Sequence, residues 1–219
     1  MAGTSGTRDR LAAHEARRAR RGAVTDPAIV LEAAARFLAV RSRSVAETRR
    51  RLLHLGYGTE VTVEVLDRLG RMGYLDDGAF ARAWVESRDR SRPRGETALR
   101  QELLRKGVED AVIRTTLADR AAGRGDSMPG VAPSNPAPDR GRETHAEPGS
   151  VDRDAAQRLL ARKAASLGRE PDLRKRRQRA YGLLARHGFD PGTCRDVSLL
   201  VLDATAEEDD GAGDEEDVG

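Results

Sequence analysis

Apolar side chains recur along this chain at helical spacing, in short blocks that are separated by glycine. The clearest block places Val61, Val65 and Leu69 on one stripe and stops at Gly73. A stripe of this width is typical of a helix that packs one face against a core. Because no segment shows a convincing strand pattern, the sequence predicts helices throughout.

The predicted helices carry their own start and stop signals. Ser44 and Glu47 have the spacing of a capping box, in which each side chain satisfies a backbone N–H near the other residue. Gly56 follows at a position where a left-handed helix cap favours a residue without a side chain. In the next block, Phe80 and Trp84 are predicted to lie on the inner face of a helix.

These blocks are near-copies of one another. A leucine pair followed by glycine ends at Gly56 and again 51 residues later at Gly107, and a fainter copy ends at Gly188. A fixed period of this size is typical of repeated helical units. We therefore predict an all-α fold, an elongated tandem array of three three-helix repeats. The predicted parts are a disordered basic tail (1–25), repeat 1 (26–75), repeat 2 (76–120), a flexible Gly/Pro-rich insert (121–151), repeat 3 (152–204) and a disordered acidic tail (205–219).

Charge is distributed unevenly over these parts. The first 25 residues hold six arginines against Asp9 and Glu15, and the last 17 hold nine acids and no base. The repeats must then carry a net positive charge, because the whole chain has a formal charge of +3. A positive body favours binding to nucleic-acid phosphates or to an acidic protein groove. Simple solubility of arginine-rich helices is the alternative interpretation.

Several classes of function find no support in the sequence. The single cysteine, Cys194, allows no internal disulfide and favours a small core residue in a reducing cytoplasm. The four histidines lack metal-ligand spacing, and Asp76-Asp77 fits a helix start better than a catalytic carboxylate pair. No apolar run approaches membrane-spanning length. We expect a cytoplasmic, monomeric protein that is not an enzyme and needs no metal or other cofactor.

Basic residues collect just ahead of and on the predicted middle helix of each repeat. Arg41 and Arg43 have the same register as Arg92 and Arg94, which lie 51 residues later. Such recurrence favours a target that is itself periodic, such as a filament or a polynucleotide. The predicted partner- or DNA-binding residues are Arg41, Arg43, Arg49, Arg50, Arg88, Arg92, Arg94, Arg100, Arg105, Lys106, Arg174, Lys175, Arg176 and Arg177.

Two motifs in combination resemble the RecX regulatory proteins of bacteria. These are Gly73-Tyr74-Leu75-Asp76-Asp77 and Arg92-Pro93-Arg94-Gly95, and the resemblance is strong over 30–118 and weaker over 152–204. It implies binding to the filament of the RecA recombinase. It further implies modulation, mainly inhibition, of RecA ATP hydrolysis, strand exchange and co-protease activity in DNA repair and the SOS response.

Two other kinds of protein remain open at this stage. One is a direct, non-specific DNA-binding protein built from repeats that resemble helix-turn-helix modules, although no predicted helix carries the side chains expected for reading base edges. The other is a scaffold whose charged tails recruit partners. Phosphate contacts to single- or double-stranded DNA are compatible with RecA binding as well, so the sequence leaves the target of the basic clusters undecided.

Overall fold

The computed structural model describes residues 5–123 and 150–207, and every regular element in those two ranges is a helix. This confirms the all-α fold. Most of the predicted insert (124–149) and the end of the acidic tail (208–219) lie outside the described residues. The helices are α1 (Ser5–Gly22), α2 (Pro27–Leu38), α3 (Val45–Leu55), α4 (Thr59–Arg71), α5 (Asp77–Ser91), α6 (Glu96–Lys106), α7 (Asp110–Ala121), α8 (Ser150–Ala161), α9 (Ala164–Gly168), α10 (Leu173–Arg186) and α11 (Pro191–Glu207).

The chain divides into two compact units. Unit 1 comprises Met1–Ala81 and Leu103–Val112, and unit 2 comprises Arg82–Glu102 and Ile113–Gly219. The division therefore falls within α5, α6 and α7.

The core of unit 1 is a bundle of α2, α3 and α4. Val30, Leu52 and Val65 are fully buried in it, as the predicted apolar stripes require. Burying each such side chain contributes about 1.5–3 kcal/mol of hydrophobic free energy. Gly56 caps α3 with φ at 103°, in the left-handed region that the sequence predicted for it.

The α3 junction in unit 1, formed by Ser44, Val45, Asp77 and Lys106, holds the start of α3. Glu47 and Ser44 form the predicted capping box, and the Ser44 hydroxyl also donates to the carbonyl oxygen of Lys106 at 2.6 Å. The backbone N–H of Val45 donates to Asp77 Oδ1 at 2.9 Å. The start of α3 is thereby bonded to the start of α5 and the end of α6.

The core of unit 2 is built around α8, α10 and α11. Leu160, Leu184 and Val197 are fully buried there, together with Cys194. The Cys194 thiol lies 3.5 Å from the carbonyl oxygen of Phe189, and burial raises its pKa. Cys194 is thus the small core residue that the sequence predicted.

The α6 junction in unit 2, formed by Gly95, Glu96, Asp152 and His187, holds the start of α6. The N–H of Gly95 donates to the carbonyl oxygen of His187 at 3.1 Å. The N–H of Glu96 donates to Asp152 Oδ2 at 3.2 Å. The start of α6 is therefore bonded to the start of α8 and the end of α10.

The inner face of α5 differs from the prediction. Phe80, Ala81 and Val85 are buried, whereas Trp84 is only half-buried. The indole N–H of Trp84 donates to Glu102 Oε2 at 2.8 Å. A tryptophan that must satisfy this polar group lies at the edge of a core and not in its centre.

Helix α1 occupies a segment for which the sequence predicted disorder. It runs from Ser5 to Gly22 and shows no sustained apolar stripe, since its composition is dominated by arginine and alanine. Its last turn contacts the end of α3 in unit 1, where Arg21 Nη1 donates to the carbonyl oxygen of Leu55 at 3.3 Å. The end of α1 therefore contacts the chain's own repeat 1.

Candidate interaction surface

Glu47 neutralises part of the basic cluster in unit 1. Its carboxylate accepts from Lys106 Nζ at 2.8 Å and pairs with Arg41 at 3.2 Å. Burial works to raise the pKa of Glu47, but the bonds from Lys106 and Arg41 lower it to about 2. Arg41 and Lys106, both predicted to bind a partner, thus help to fix the start of α3.

Arg43 also has an internal role. Its guanidinium lies 4.3 Å from the ring centroid of Phe37, a cation–π distance. Burial, and then the charge of Arg41, lowers the pKa of Arg43. The side chain is half-buried and packs against α2, so the neighbouring residues are better placed to reach a partner.

Among the basic residues predicted to bind a partner, those of unit 1 that are exposed and not paired with Glu47 lie on α3 and α6. Arg49 and Arg50 are exposed on α3, and Arg105 is exposed in the last turn of α6. Arg50 Nη2 lies 3.4 Å from the carbonyl oxygen of Lys106, at the end of α6. These three arginines keep their charge at the surface.

Glu102 has a corresponding role in unit 2. Arg88 Nε donates to its carboxylate at 2.7 Å, Trp84 Nε1 does so at 2.8 Å, and Arg94 Nε lies 3.6 Å away. The Arg88 guanidinium is also 4.4 Å from the Trp84 ring centroid. Burial works to raise the pKa of Glu102, but hydrogen bonds from Arg88 and Trp84 lower it. Arg88 and Arg94 are therefore engaged within the unit.

The other basic residues of unit 2 differ in exposure. Arg92 is exposed just after α5, whereas Arg100 is half-buried on α6. In the first turns of α10, Arg176 is half-buried and donates to the carbonyl oxygen of Glu170 at 2.9 Å. The exposed predicted residues of this segment are Arg174, Lys175 and Arg177.

An ionic cluster that sequence reasoning missed lies beside the α6 junction. Arg120 donates to Asp89 at 2.8 and 2.9 Å and to Asp152 at 2.5 Å. Burial works to lower the pKa of Arg120, but the bonds to Asp89 and the charge of Asp152 raise it. The partners are 31 and 32 residues from Arg120 in sequence, so no local spacing could have identified them.

The two neighbouring carboxylates, Asp76 and Asp77, both accept hydrogen bonds from backbone N–H groups at the starts of helices. Asp76 Oδ1 accepts from the N–H groups of Gly78 and Ala79 at 2.7 and 3.0 Å, and Asp77 accepts from Val45. Asp76 thus has the predicted role at the start of α5, whereas Asp77 bonds to the start of a different helix, α3. Within the described residues, no group of His, Cys, Asp and Glu has the geometry to hold a metal ion. Of the helices in that part of the chain, none combines the length and hydropathy needed to cross a bilayer.

The chain matches the family models of all three three-helix domains of RecX. The first domain matches residues 31–69, the second 76–117 and the third 151–197. Their order along the chain confirms the tandem three-helix organisation that the repeat predicted.

Two solved structures share the fold. A crystal structure of regulatory protein RecX superposes with a TM-score of 0.58 at 18% identity, over 78% of this chain and 70% of the other. The crystal structure of RecX from Lactobacillus salivarius gives a TM-score of 0.61 at 15% identity, over 81% of this chain and 97% of the other.

Curated relatives are closer in sequence. Regulatory protein RecX of Mycobacterium sp. (strain JLS) is 36% identical over 171 residues, which cover 76% of this chain and 78% of the relative. Its counterpart in Mycolicibacterium smegmatis is 36% identical over 167 residues, or 76% of each chain. Because the matches run through all three domains and most of each relative, this chain belongs to the RecX family of regulatory proteins.

Proposed function

We propose that this protein binds the RecA recombinase filament and mainly inhibits its ATP hydrolysis, strand exchange and co-protease activity. The observation that carries the proposal is the match of all three three-helix domains to RecX, together with exposed basic residues on those domains. The protein would act in the cytoplasm as a monomer, in DNA repair and the SOS response. It would need no catalytic step of its own, because binding alone can change a filament's equilibrium.

Burial and ion pairing distinguish the basic residues that are free to contact a partner from those that stabilise their own unit. Those paired with Glu47 or Glu102, or packed on Phe37, stabilise their own unit, and withdrawing them would leave a half-buried charge without its partner. Exposed residues can meet an acidic protein surface or a phosphate without that cost. The residues we propose for partner contact are Arg49, Arg50, Arg92, Arg105, Arg174 and Lys175.

The test is single-stranded-DNA-dependent ATP hydrolysis by RecA while the protein is titrated in. We expect inhibition at well below one protein per RecA protomer. Arg92→Glu should weaken the inhibition about tenfold, since a reversed charge at a partner contact costs on the order of 1–2 kcal/mol. Arg71→Glu is the matched control, because Arg71 is also exposed and also lies at the end of a helix. Equal inhibition by the two variants would remove Arg92 from the contact surface.

Direct DNA binding is the second candidate function, favoured by the exposed arginines on α3 and the basic start of α10. Direct DNA binding is measured in a parallel titration of the protein against naked DNA at the same salt concentration. If ATP hydrolysis falls only when the protein already saturates the DNA, non-specific phosphate binding explains the inhibition better than filament binding. No inhibition at any ratio would refute both mechanisms.

A further inference from the structure

The glycine that ends the middle helix of each later repeat lies against an earlier helix. In unit 1, a Cβ added at Gly107 would overlap Ala46 Cβ, in the first turn of α3. In unit 2, a Cβ added at Gly188 would lie 2.5 Å from Ala98 Cβ, in the first turn of α6. Each of these glycines therefore forms part of a face on which another helix sits closely.

Gly56 ends the middle helix of repeat 1, and the residues just ahead of this repeat form α1 and not a three-helix unit. Gly56 nevertheless has the same kind of neighbour, because a Cβ at Gly56 would lie 2.5 Å from Arg18 Cγ and 2.8 Å from the Arg18 carbonyl oxygen. Arg18 belongs to α1. The face of repeat 1 that would otherwise be open is covered by the N-terminal helix.

Three further contacts fix α1 and the residues after it to this face. Arg21 Nη1 donates to the carbonyl oxygen of Leu55, and its guanidinium lies 5.9 Å from the ring centroid of Tyr57. Val24, just beyond α1, is partly buried against the unit 1 core. The bond to Leu55 satisfies one of the last carbonyl groups of α3, which have no partner within a helix. These contacts hold one end of α1.

We propose that α1 is an end cap, a helix that occupies on repeat 1 the docking face that a preceding middle helix occupies on the later repeats. Terminal units of repeat proteins require such a cover, because the face that stacks on a neighbour would otherwise meet water. The cap also explains why a segment with six arginines is ordered. In proteins, helices gain most of their stability from packing against the rest of the fold, and docking on repeat 1 would supply this for α1.

The experiment compares two glycine variants of the full-length chain by amide hydrogen exchange. Gly56 and Gly73 both have positive φ, 103° and 75°, so alanine strains the backbone at either position. Only Gly56 contacts α1, because a Cβ at Gly73 would have no neighbour within 4 Å. We expect Gly56→Ala to speed amide exchange in Arg17–Gly22 about tenfold or more, as α1 undocks. Gly73→Ala should leave exchange in that segment within about twofold of the parent chain.

A second pair of variants keeps the test valid if Gly56→Ala does not fold. Arg21→Ala removes the bond to Leu55 and should speed exchange in α1 about fivefold, the equivalent of one hydrogen bond. Arg20→Ala changes the adjacent, exposed arginine and should leave exchange unchanged. The end-cap role is refuted if α1 of the parent chain exchanges as fast as an unstructured peptide, or if both members of each pair behave alike. RecA inhibition enters none of these readouts, so the proposal stands or falls independently of the proposed function.

Discussion

The α3 junction and the α6 junction solve the same structural problem with different residues. Ser44 and Gly95 are equivalent positions 51 residues apart. At the first, a side-chain hydroxyl donates to the end of a later middle helix, whereas at the second a backbone N–H does so. In each case the next backbone N–H donates to an aspartate from a later first helix. The repeat therefore dictates where a bond is needed and leaves open which group supplies it.

The two aspartates differ in their electrostatic surroundings. Asp152 lies against the guanidinium of Arg120. Among the residues that the structure describes, no cation pairs with Asp77: burial raises its pKa, the bond from Val45 works against the rise, and the charges of Asp76 and Glu47 add to it. The same helix-start contact is thus made by a charge-compensated carboxylate in unit 2 and by an uncompensated one in unit 1. Five substitutions, in four experiments, would test how the two junctions differ.

Replacing Arg120, the cation beside the α6 junction, should lower the free energy of unfolding more than any of the other substitutions. Arg120→Met leaves Asp89 and Asp152 facing each other in a cluster where the arginine side chain is only 9% exposed. We expect the free energy of unfolding to fall by about 3 kcal/mol at pH 7, because breaking a buried pair strands its remaining charge. Urea unfolding measures it, with the exposed Arg158→Met on α8 as the control. Equal losses in the two variants would mean that the cluster adds nothing.

Repetition in the sequence predicted the helices and where they end, but not the bonds that form the two junctions. The apolar stripes and the helix-ending glycines recur at a fixed spacing, whereas the capping box is a local signal of repeat 1 alone, and the structure confirms all three. Glu47 and Glu102 do not recur, since the positions 51 residues away hold Ala98 and Arg51. Each acid organises its basic neighbours through contacts between helices, which no local pattern records. Exposed and engaged arginines therefore look alike in the sequence.

The stability that Glu47 contributes at the start of α3 should depend on pH in the acid range. The pKa of Glu47 is lowered from an ordinary 4.5 to about 2, so its contribution to stability is complete above pH 4.5 and is lost as the pH falls towards 2. Glu47→Gln should lower the free energy of unfolding by about 2 kcal/mol at pH 7 and by almost nothing at pH 2. Unfolding at both pH values tests this, with exposed Glu60→Gln as the control. A loss that is independent of pH would contradict the charge-based role.

The paired aspartates offer the most direct comparison. Asparagine keeps one oxygen that can accept the helix-start N–H. It replaces the other oxygen by an NH2 group, which at position 152 lies on the side of the Arg120 guanidinium. Asp152→Asn should lower the free energy of unfolding by about 1.5 kcal/mol, because Arg120 loses a charged partner. Asp77→Asn should change it by less than about 0.5 kcal/mol at pH 7, since a carboxylate with a raised pKa gives up stability once it ionises. Equal losses at the two sites would show that the surrounding charges are irrelevant.

A smaller loss than that of Asp152→Asn is expected where one junction is given the residue of the other. Ser44→Gly places at the start of α3 the glycine found at the start of α6, and glycine alone is nearly as good a helix cap as serine. Ser44 is fully buried, however, and its hydroxyl also satisfies the Lys106 carbonyl. We therefore expect a loss of about 1 kcal/mol in urea unfolding, above the few tenths that a simple cap exchange costs. Ser91→Gly, at an exposed serine that ends α5, controls for the backbone freedom of glycine. The free energy of unfolding of Ser44→Gly could instead fall by only a few tenths of a kcal/mol. A backbone N–H could then replace the hydroxyl at the α3 junction, as one does at the α6 junction, and the two junctions would be interchangeable.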